Sequence, residues 1–227
     1  MGRLIALVHT VATLVPEFDR LCGEILPDAE VKHMLDEPLL ERVRRRGRLA
    51  PEDAARLEAH LQIAAEIGAA AVLVTCSTIS PCVDEVRGRV TVPLIKIDEA
   101  MLAEALRLGT RIGVVATIPT TLEPTRKSLL AQAETSGRVV AMELVLVEGA
   151  LAALLGGDGE THDRLVARAV RNLAGRVDVV ILAQASTARA VRVITESPVP
   201  VLASPRLALE RVRGLMIEPP INADQRR

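Results

Sequence analysis

The chain has 227 residues, of which 49% are hydrophobic and 25% charged, a composition typical of a globular protein with one large or two small domains. One Phe and no Tyr or Trp exclude a nucleic-acid site built on aromatic stacking, an aromatic cage for a quaternary amine and a tyrosine general acid. With 28 basic and 29 acidic residues the net charge is −1, so no basic field attracts nucleic acid or an anionic membrane.

The three cysteines, Cys22, Cys76 and Cys82, form no CxxC pair. Their odd number favours a reducing compartment over a disulfide framework and argues against a structural zinc site. The N-terminal apolar run is short and has no small-residue cleavage site, so it predicts a strand rather than a signal peptide. No apolar stretch approaches the roughly 20 residues that cross a bilayer. We therefore expect a cytoplasmic protein.

Short aliphatic runs alternate with amphipathic segments along the chain. The predicted strands are Arg3–His9, Ala71–Thr75, Pro93–Ile97, Arg111–Ala116, Val139–Val145, Asp178–Ala183 and Val199–Ala203. The predicted helices include Pro51–Ile67, Glu99–Leu108, Thr161–Leu173 and Arg206–Arg213, with another near Pro81. Continuous apolar strands separated by helices indicate an α/β fold with parallel sheets. The segment around His33 is interpreted as a loop over the first lobe, and the tail from Pro219 as frayed.

An internal repeat divides the chain. RLIALVHTVATLVP from Arg3 aligns with RIGVVATIPTTLEP from Arg111 at an offset of 108, and AVLVTCSTIS aligns with VILAQASTAR at 109. The plainer explanation is that βα units of similar length look alike. We favour two similar lobes, the first formed by residues 1–98 with 206–227 and the second by residues 99–205.

The two lobes are expected to face each other across one cleft, because ligands of open parallel sheets bind beyond the carboxyl ends of the strands. The residues predicted to bind a substrate there are Thr10, Thr75, Ser77, Thr78, Thr117, Thr120, Thr121, Gln184, Ala185, Ser186 and Thr187. Hydroxyls and backbone amides suit a carboxylate, although each hydroxyl taken alone could equally cap a helix. Cys76 follows a strand and precedes a helix, where a thiolate is favoured; the alternative is inert packing.

Four segments resemble the aspartate/glutamate/hydantoin racemase superfamily: VTCST around Cys76, IGVVATIPTTL, LVLVEGA and DVVILAQAS. The resemblance implies two pseudo-symmetric flavodoxin-like (Rossmann-like) lobes with parallel sheets and an interlobe active-site cleft. It also implies cofactor-independent chemistry at the carbon next to a carboxylate, and association into a homo-oligomer. In family racemases a thiol from each lobe flanks the substrate, and Cys76 matches the first. Thr117 and Thr120 match a carboxylate-binding turn, and Glu148 matches a Glu near the second thiol.

The sequence departs from this pattern at two positions. The second thiol is expected at position 185, which is Ala185, so two-thiol racemization cannot operate. Where many relatives have Asp-Ser, this chain has His9-Thr10. His9 is a candidate to orient or deprotonate Cys76, or it is a packed histidine at a strand end. His162, at a predicted helix start, is a candidate second acid/base, with helix capping or surface exposure as the alternative.

The sequence thus predicts an isomerase: a cofactor-independent racemase, epimerase or isomerase that acts α to a carboxylate of a small molecule through Cys76. One alternative is a one-thiol decarboxylase or lyase similar to arylmalonate decarboxylases, whose thiol belongs to the other lobe. Another is a non-catalytic carboxylate-binding protein. We expect no metal, no organic cofactor, and no nucleic-acid or membrane partner. The basic run Glu41–Arg48 is interpreted as a solvated helix face.

Overall fold

The computed structural model describes residues 2–217, whose strands form two four-stranded sheets. The first sheet has the order β2-β1-β3-β4, and its strands are β1 (Leu4–His9), β2 (Glu30–Leu35), β3 (Ala71–Val74) and β4 (Leu94–Lys96). The second has the order β6-β5-β7-β8, and its strands are β5 (Arg111–Ala116), β6 (Ala141–Leu146), β7 (Val179–Leu182) and β8 (Val201–Ala203). Every neighbouring pair is parallel, which confirms the predicted α/β fold with two parallel sheets.

Helices connect the strands and cover the sheets. They are α1 (Val15–Ile25), α2 (Glu37–Arg46), α3 (Pro51–Glu66), α4 (Ser80–Val86), α5 (Glu99–Leu108), α6 (Pro119–Thr135), α7 (Ala150–Leu155), α8 (Gly159–Ala174) and α9 (Ser204–Ile217). Short 3-10 segments occupy Ala12–Leu14, Ser77–Ile79 and Ala185–Val193. None of the helices among residues 2–217 is long and apolar enough to cross a membrane.

The two sheets repeat one another because the chain builds the same strand order twice. In each sheet the first strand in sequence lies second in space, between an edge strand and the third strand. Helix α9 packs against α1, and its Ala208, Leu209 and Val212 join the apolar cluster that contains Phe18 of α1. The exact boundaries of the two predicted lobes stay a prediction.

The core of the first sheet lies on both of its faces. Ile5 and Leu7 of β1 pack toward α1 and α9, whereas Ala6 and Val8 pack toward α2, α3 and α4. All four side chains are fully buried. This two-sided burial explains why β1 is a continuous apolar run rather than an alternating one.

The segment around His33 is the strand β2, not the loop that the sequence suggested. It pairs with β1 over its whole length, from Leu4 opposite Glu30 to His9 opposite Leu35. The strand lies at the sheet edge and alternates polar residues with half-buried ones, so it has no apolar run by which to recognise it. The prediction for the tail from Pro219 lies outside the described residues.

Candidate active site

The carboxyl ends of β1, β3, β5 and β7 meet around a small inner cavity of about 40 Å³. Its lining residues are Thr10, Val11, Leu14, Leu40, Thr75, Cys76, Ser77, Thr78, Ile118, Thr121, Gln184, Ala185 and Ser186. Most of the side chains that the sequence assigned to the cleft therefore lie around this one space. Among the described residues that line it, Cys76 is the one with a readily ionised side chain.

Cys76 follows β3 and immediately precedes the 3-10 segment Ser77–Ile79, whose backbone N–H groups at Thr78 and Ile79 face its thiol. Burial raises the pKa of the Cys76 thiol, and the nearby Asp98 carboxylate acts in the same direction. The Thr10 hydroxyl and the N–H groups of Ile79 and Thr78 lower it. Within residues 2–217 the Thr10 hydroxyl has no other hydrogen-bond partner, so it can donate to the thiolate of Cys76.

Several hydroxyls at the cleft are buried without partners. The side-chain oxygens of Thr10, Ser77 and Thr120 make no hydrogen bond within the described part of the chain. Buried polar atoms are normally paired, because an unpaired one costs about 1–3 kcal/mol. Thr10 and Ser77 line the inner cavity with Cys76, whereas Thr120 lines the outer cavity, and such donors fit a ligand that brings its own oxygen acceptors.

The wall from the second sheet is built around Gln184. Its Oε1 accepts hydrogen bonds from the backbone N–H of Thr117, at 2.5 Å, and from the Thr117 hydroxyl, at 3.1 Å. Thr187 donates its hydroxyl to the Gln184 carbonyl at 2.6 Å, and this bond fixes the start of the 3-10 segment. Because the N–H of Thr117 can only donate, the side-chain NH2 group of Gln184 is left as a donor.

The two walls are joined by a hydrogen bond and open into a larger space. The hydroxyls of Thr78 and Thr121 lie 3.0 Å apart, and both residues are buried. Ile118 lines both the inner cavity and an outer cavity of about 700 Å³. The other lining residues of the outer cavity are Val43, Arg44, Gly47, Arg48, Leu49, Pro81, Pro119, Thr120, Glu123, Pro124, Lys127 and Leu151. Part of the basic run thus borders the cleft instead of only facing solvent.

His9 does not form the thiol–imidazole pair that the sequence suggested. Its Nδ1 lies 2.8 Å from Thr75 Oγ1 and its Nε2 lies 2.9 Å from His33 Nδ1, so both ring nitrogens are engaged away from Cys76. Burial lowers the pKa of His9 to about 4, helped by His33 and opposed by Asp19. His9 is therefore a neutral imidazole near pH 7.

The structure does not bring His162 or Glu148 to either cavity. His162 is fully buried in α8, where its Nδ1 lies 2.8 Å from Asp163 Oδ1. Arg189 pairs with the same carboxylate, so the histidine belongs to a buried network between α8 and the segment Ala185–Val193. Glu148 is exposed in the turn after β6 because that strand lies at the outer edge of its sheet.

Two groups near the site were absent from the predicted set. Asp98, just after β4, is buried, accepts a hydrogen bond from Ser80 at 3.1 Å, and has its pKa raised to about 6 by burial. His33 contacts His9, as described above. A carboxylate at the end of a predicted strand was a usable signal for Asp98, whereas the position of His33 depends on the unrecognised strand β2.

The repeated parallel sheets and the site between their carboxyl ends define a class of two-lobed α/β proteins with an interlobe site. The chain belongs to the Asp/Glu/hydantoin racemase family, whose model matches residues 6–212. The family is described by its racemases, which are isomerases, so the predictions of the family and of an enzyme of the isomerase class are confirmed. No curated protein matches the sequence.

Solved racemases have a similar fold. Allantoin racemase from Klebsiella pneumoniae superposes with a TM-score of 0.70 at 18% identity, over 94% of this chain and 87% of the other. Glutamate racemase from Francisella tularensis, in complex with D-glutamate, gives 0.68 at 14% identity, over 95% and 81%. Aspartate racemase from Picrophilus torridus gives 0.67 at 10% identity, over 94% and 95%. At these identities the likeness concerns the fold.

Proposed function

We propose that this protein is a cofactor-independent racemase, epimerase or isomerase that acts at the carbon α to the carboxylate of a small molecule, with Cys76 as its acid/base. The observation that carries the proposal is the position of Cys76 in the inner cavity, surrounded by buried hydroxyls that lack partners. Membership of a racemase family supports the reaction class.

In this mechanism the Cys76 thiolate removes the α-proton and the neighbouring donors stabilise the resulting enolate. The hydroxyls of Ser77 and Thr10, with the NH2 group of Gln184, are the donors assigned to the carboxylate and enolate oxygens. One such preorganised donor contributes about 10²–10³ in rate when charge develops on oxygen. A buried thiol is a stronger base once ionised, so the raised pKa of Cys76 suits proton removal from carbon.

The cavity sizes bear on how a substrate enters. The inner cavity of about 40 Å³ holds little more than a water molecule, whereas ligand sites usually span about 300–1,000 Å³. The outer cavity falls within that range. We therefore assign the reacting carboxylate to the inner cavity, after separation of the two walls, and the remainder of the substrate to the outer cavity.

The test is hydrogen exchange at the α-carbon in D2O. The protein is incubated with small amino, hydroxy and substituted malonic acids, and the α-proton signal, the chirality and the release of CO2 are followed. We expect exchange with at least one acid, reduced more than about 10²-fold in Cys76→Ala, because loss of a positioned acid/base costs about 10²–10⁴.

Cys22→Ala and Cys82→Ala are the matched controls, since both thiols are buried in packing contacts outside the cavity. Both should retain wild-type exchange. Undiminished exchange in Cys76→Ala would refute the mechanism. Binding of acids with neither exchange nor CO2 release would instead identify a carboxylate-binding protein.

A one-thiol decarboxylase is the second candidate, and Ala185 favours it. Ala185 lines the inner cavity where a second thiol would stand, so the facing wall offers no ionisable group. Loss of CO2 leaves an enolate that needs a single proton, which one thiol can supply. Release of CO2 from a substituted malonate, dependent on Cys76, would select this reaction over isomerization.

A further inference from the structure

A chain of hydrogen bonds leads from the inner cavity to the surface of the first sheet. Thr75 Oγ1 lies 2.8 Å from His9 Nδ1, and His9 Nε2 lies 2.9 Å from His33 Nδ1. The other ring nitrogen of His33, Nε2, lies 2.9 Å from Asp19 Oδ1. Thr75 and His9 are buried, the side chain of His33 is 17% exposed, and that of Asp19 is 65% exposed. Because Thr75 lines the inner cavity and Asp19 is exposed, these hydrogen bonds connect a residue of the cavity wall with a residue in contact with water.

The fold places these groups in line. His33 of β2 lies opposite Leu7 of β1, on the sheet face that α1 covers. Consecutive residues of α1 then meet the two imidazoles: the Phe18 ring packs edge-on against His9 at 5.2 Å, and Asp19 bonds His33. The imidazole planes are inclined by 20° and their centroids lie 5.1 Å apart, which is compatible with the hydrogen bond between the two rings. Phe18 shields the inner imidazole and Asp19 anchors the outer one.

When both imidazoles are neutral, the donors and acceptors of this series of hydrogen bonds can be arranged in only one direction. An ionised Asp19 only accepts, so His33 carries its proton on Nε2 and its Nδ1 accepts from His9 Nε2–H. The Nδ1 of His9 is then bare, and the Thr75 hydroxyl donates to it. Every donor and acceptor of the neutral chain is satisfied in this arrangement.

One added proton reverses that direction. When His33 is charged, its Nδ1–H donates to His9 Nε2, and the proton of His9 moves to Nδ1 and donates to Thr75 Oγ1. The Thr75 hydroxyl then donates to the carbonyl of Val8, which lies at 3.2 Å. Thr75 Oγ1 thus has a partner in both states. His9 stays neutral throughout, in agreement with its lowered pKa.

We infer that Thr75, His9, His33 and Asp19 form a proton relay that links the inner cavity to solvent, with His33 as the group that takes up the charge. When the relay delivers a proton to the substrate, each donor regains a proton from its neighbour. Thr75 gives its hydroxyl proton to the substrate carbanion or enolate and receives the Nδ1 proton of His9. His9 receives the Nδ1 proton of His33 at Nε2, and His33 becomes neutral. Removal of a proton from the substrate runs the same steps in reverse.

Within residues 2–217, few charged side chains surround the relay. Strand β2 packs against β1 and α1, which present His9 and Asp19 to His33. Cys22 of α1 lies near Asp19, and burial raises the pKa of this thiol to about 11, so it stays neutral. Two further charges nearby are engaged elsewhere: Glu17 pairs with Arg20, and Lys32 pairs with Glu30.

The catalytic part of this inference rests on the proposed function, but the relay can be tested without a substrate. With four histidines in the chain, 15N-labelled imidazoles can be resolved by NMR and their tautomers read directly. We expect His9 to switch from the Nε2–H to the Nδ1–H form when His33 gains a second ring proton in acid, without becoming charged itself. His33→Gln and Asp19→Asn should abolish this switch. A His9 tautomer that ignores the protonation of His33 would overturn the relay.

His60→Gln is the matched control. His60 lies in the same lobe, its Nε2 bonds a carboxylate of Asp36 at 2.8 Å, and its side chain is 23% exposed. It does not line the inner cavity. In the exchange assay, His33→Gln should lower kcat about 10- to 100-fold at constant KM and remove one limb of the pH–rate profile, while His60→Gln keeps both.

The outcomes separate the two proposals. A coupled tautomer switch in a protein that exchanges no substrate would retain the relay and refute the proposed function. Cys76-dependent exchange with no coupling between His9 and His33 would do the opposite. If the His33 variant folds poorly, Asp19→Asn tests the relay instead, because the Asp19 side chain is exposed and its substitution should leave the fold intact.

Discussion

Ala185 is a small residue that contributes to two environments at once. Its methyl group lines the inner cavity and also belongs to the apolar cluster of Ile5, Leu7 and Phe18. The same residue thus joins the two walls by packing and leaves the second wall chemically inert. On the first wall, Cys76 and Thr75 both line the cavity. A thiol of the second wall consequently takes no part in proton transfer to a bound substrate.

The substitution Ala185→Cys tests this asymmetry. A thiol on the second wall would face Cys76 and offer a proton to the opposite side of the α-carbon. We expect inversion relative to α-proton exchange to rise about 10-fold or more, measured by chiral chromatography and NMR on the same sample. Ala185→Ser is the control of similar size, because its hydroxyl is far less acidic. An equal ratio in all three proteins would contradict the inference that the missing thiol at position 185 limits inversion.

At the scale of the element, the end of β4 carries a carboxyl group that the fold leaves partly unsatisfied. Asp98 accepts a hydrogen bond from Ser80 on one oxygen, while its other oxygen has no partner within residues 2–217. Burial raises its pKa from 3.8 to about 6, so folding favours the neutral form. As pH rises between about 4 and 6, the unfolded chain loses this proton first, and the folded state loses stability.

The variant Asp98→Asn should therefore be more stable than wild type at pH 7, by up to about 3 kcal/mol, and nearly equal to it at pH 4. Urea denaturation at several pH values measures the difference. Because the Asp98 carboxylate raises the pKa of Cys76, the variant should also alkylate faster at that thiol. Equal stability at pH 4 and pH 7 relative to wild type would exclude a buried carboxylate of raised pKa.

Asp178, just before β7, affects the pH dependence of stability in the opposite direction to Asp98. Hydrogen bonds from the side chain of Arg111 and from the backbone N–H groups of Arg111 and Thr110 lower its pKa to about 2. Its stabilising contribution is present above pH 4 and is lost as pH falls toward 2. Asp178→Asn should thus be less stable at pH 7, with the difference from wild type vanishing in acid.

The elements differ in how much of them the sequence reveals. Strands β1, β3, β5 and β7 are central and buried on both faces, so their apolar runs predict them well. Strand β2 contains Glu30, Lys32 and His33, and its pairing with β1 rather than its own composition makes it a strand.

The same limit applies to the site. Cys76 and the hydroxyls beside it follow a strand directly, so topology alone brings them to the cleft. The contacts of His33 with His9 and Asp19 depend on the register of an edge strand and on the rotation of α1. Hydrophobic periodicity reports neither of these. His162 was assigned to the cleft because it begins a helix, but the orientation of α8 turns it into the core.

At the scale of the whole molecule, the two walls of the site are held together by a buried hydrogen bond between Thr78 and Thr121. Thr121→Val keeps the side-chain shape but leaves the Thr78 hydroxyl buried without a partner. We expect a loss of about 1–3 kcal/mol in the free energy of unfolding and faster amide hydrogen exchange around the cavity. Denaturation and exchange mass spectrometry measure these two quantities.

Thr135→Val provides the control on the same helix, since the Thr135 hydroxyl bonds the Ala131 carbonyl at the exposed end of α6. It should change stability by less than about 0.5 kcal/mol. If Thr121→Val behaves like this control, the bond between the walls contributes nothing to closure.

The alanine at position 185 also determines how the protein responds to oxidants. Cys76 has no cysteine across the cavity, and the thiols of Cys22 and Cys82 are buried among apolar side chains. Oxidation of Cys76 therefore cannot close an internal disulfide between the two walls. It produces a sulfenic acid or a mixed disulfide with an external thiol, and a small soluble reductant suffices to restore the free thiol.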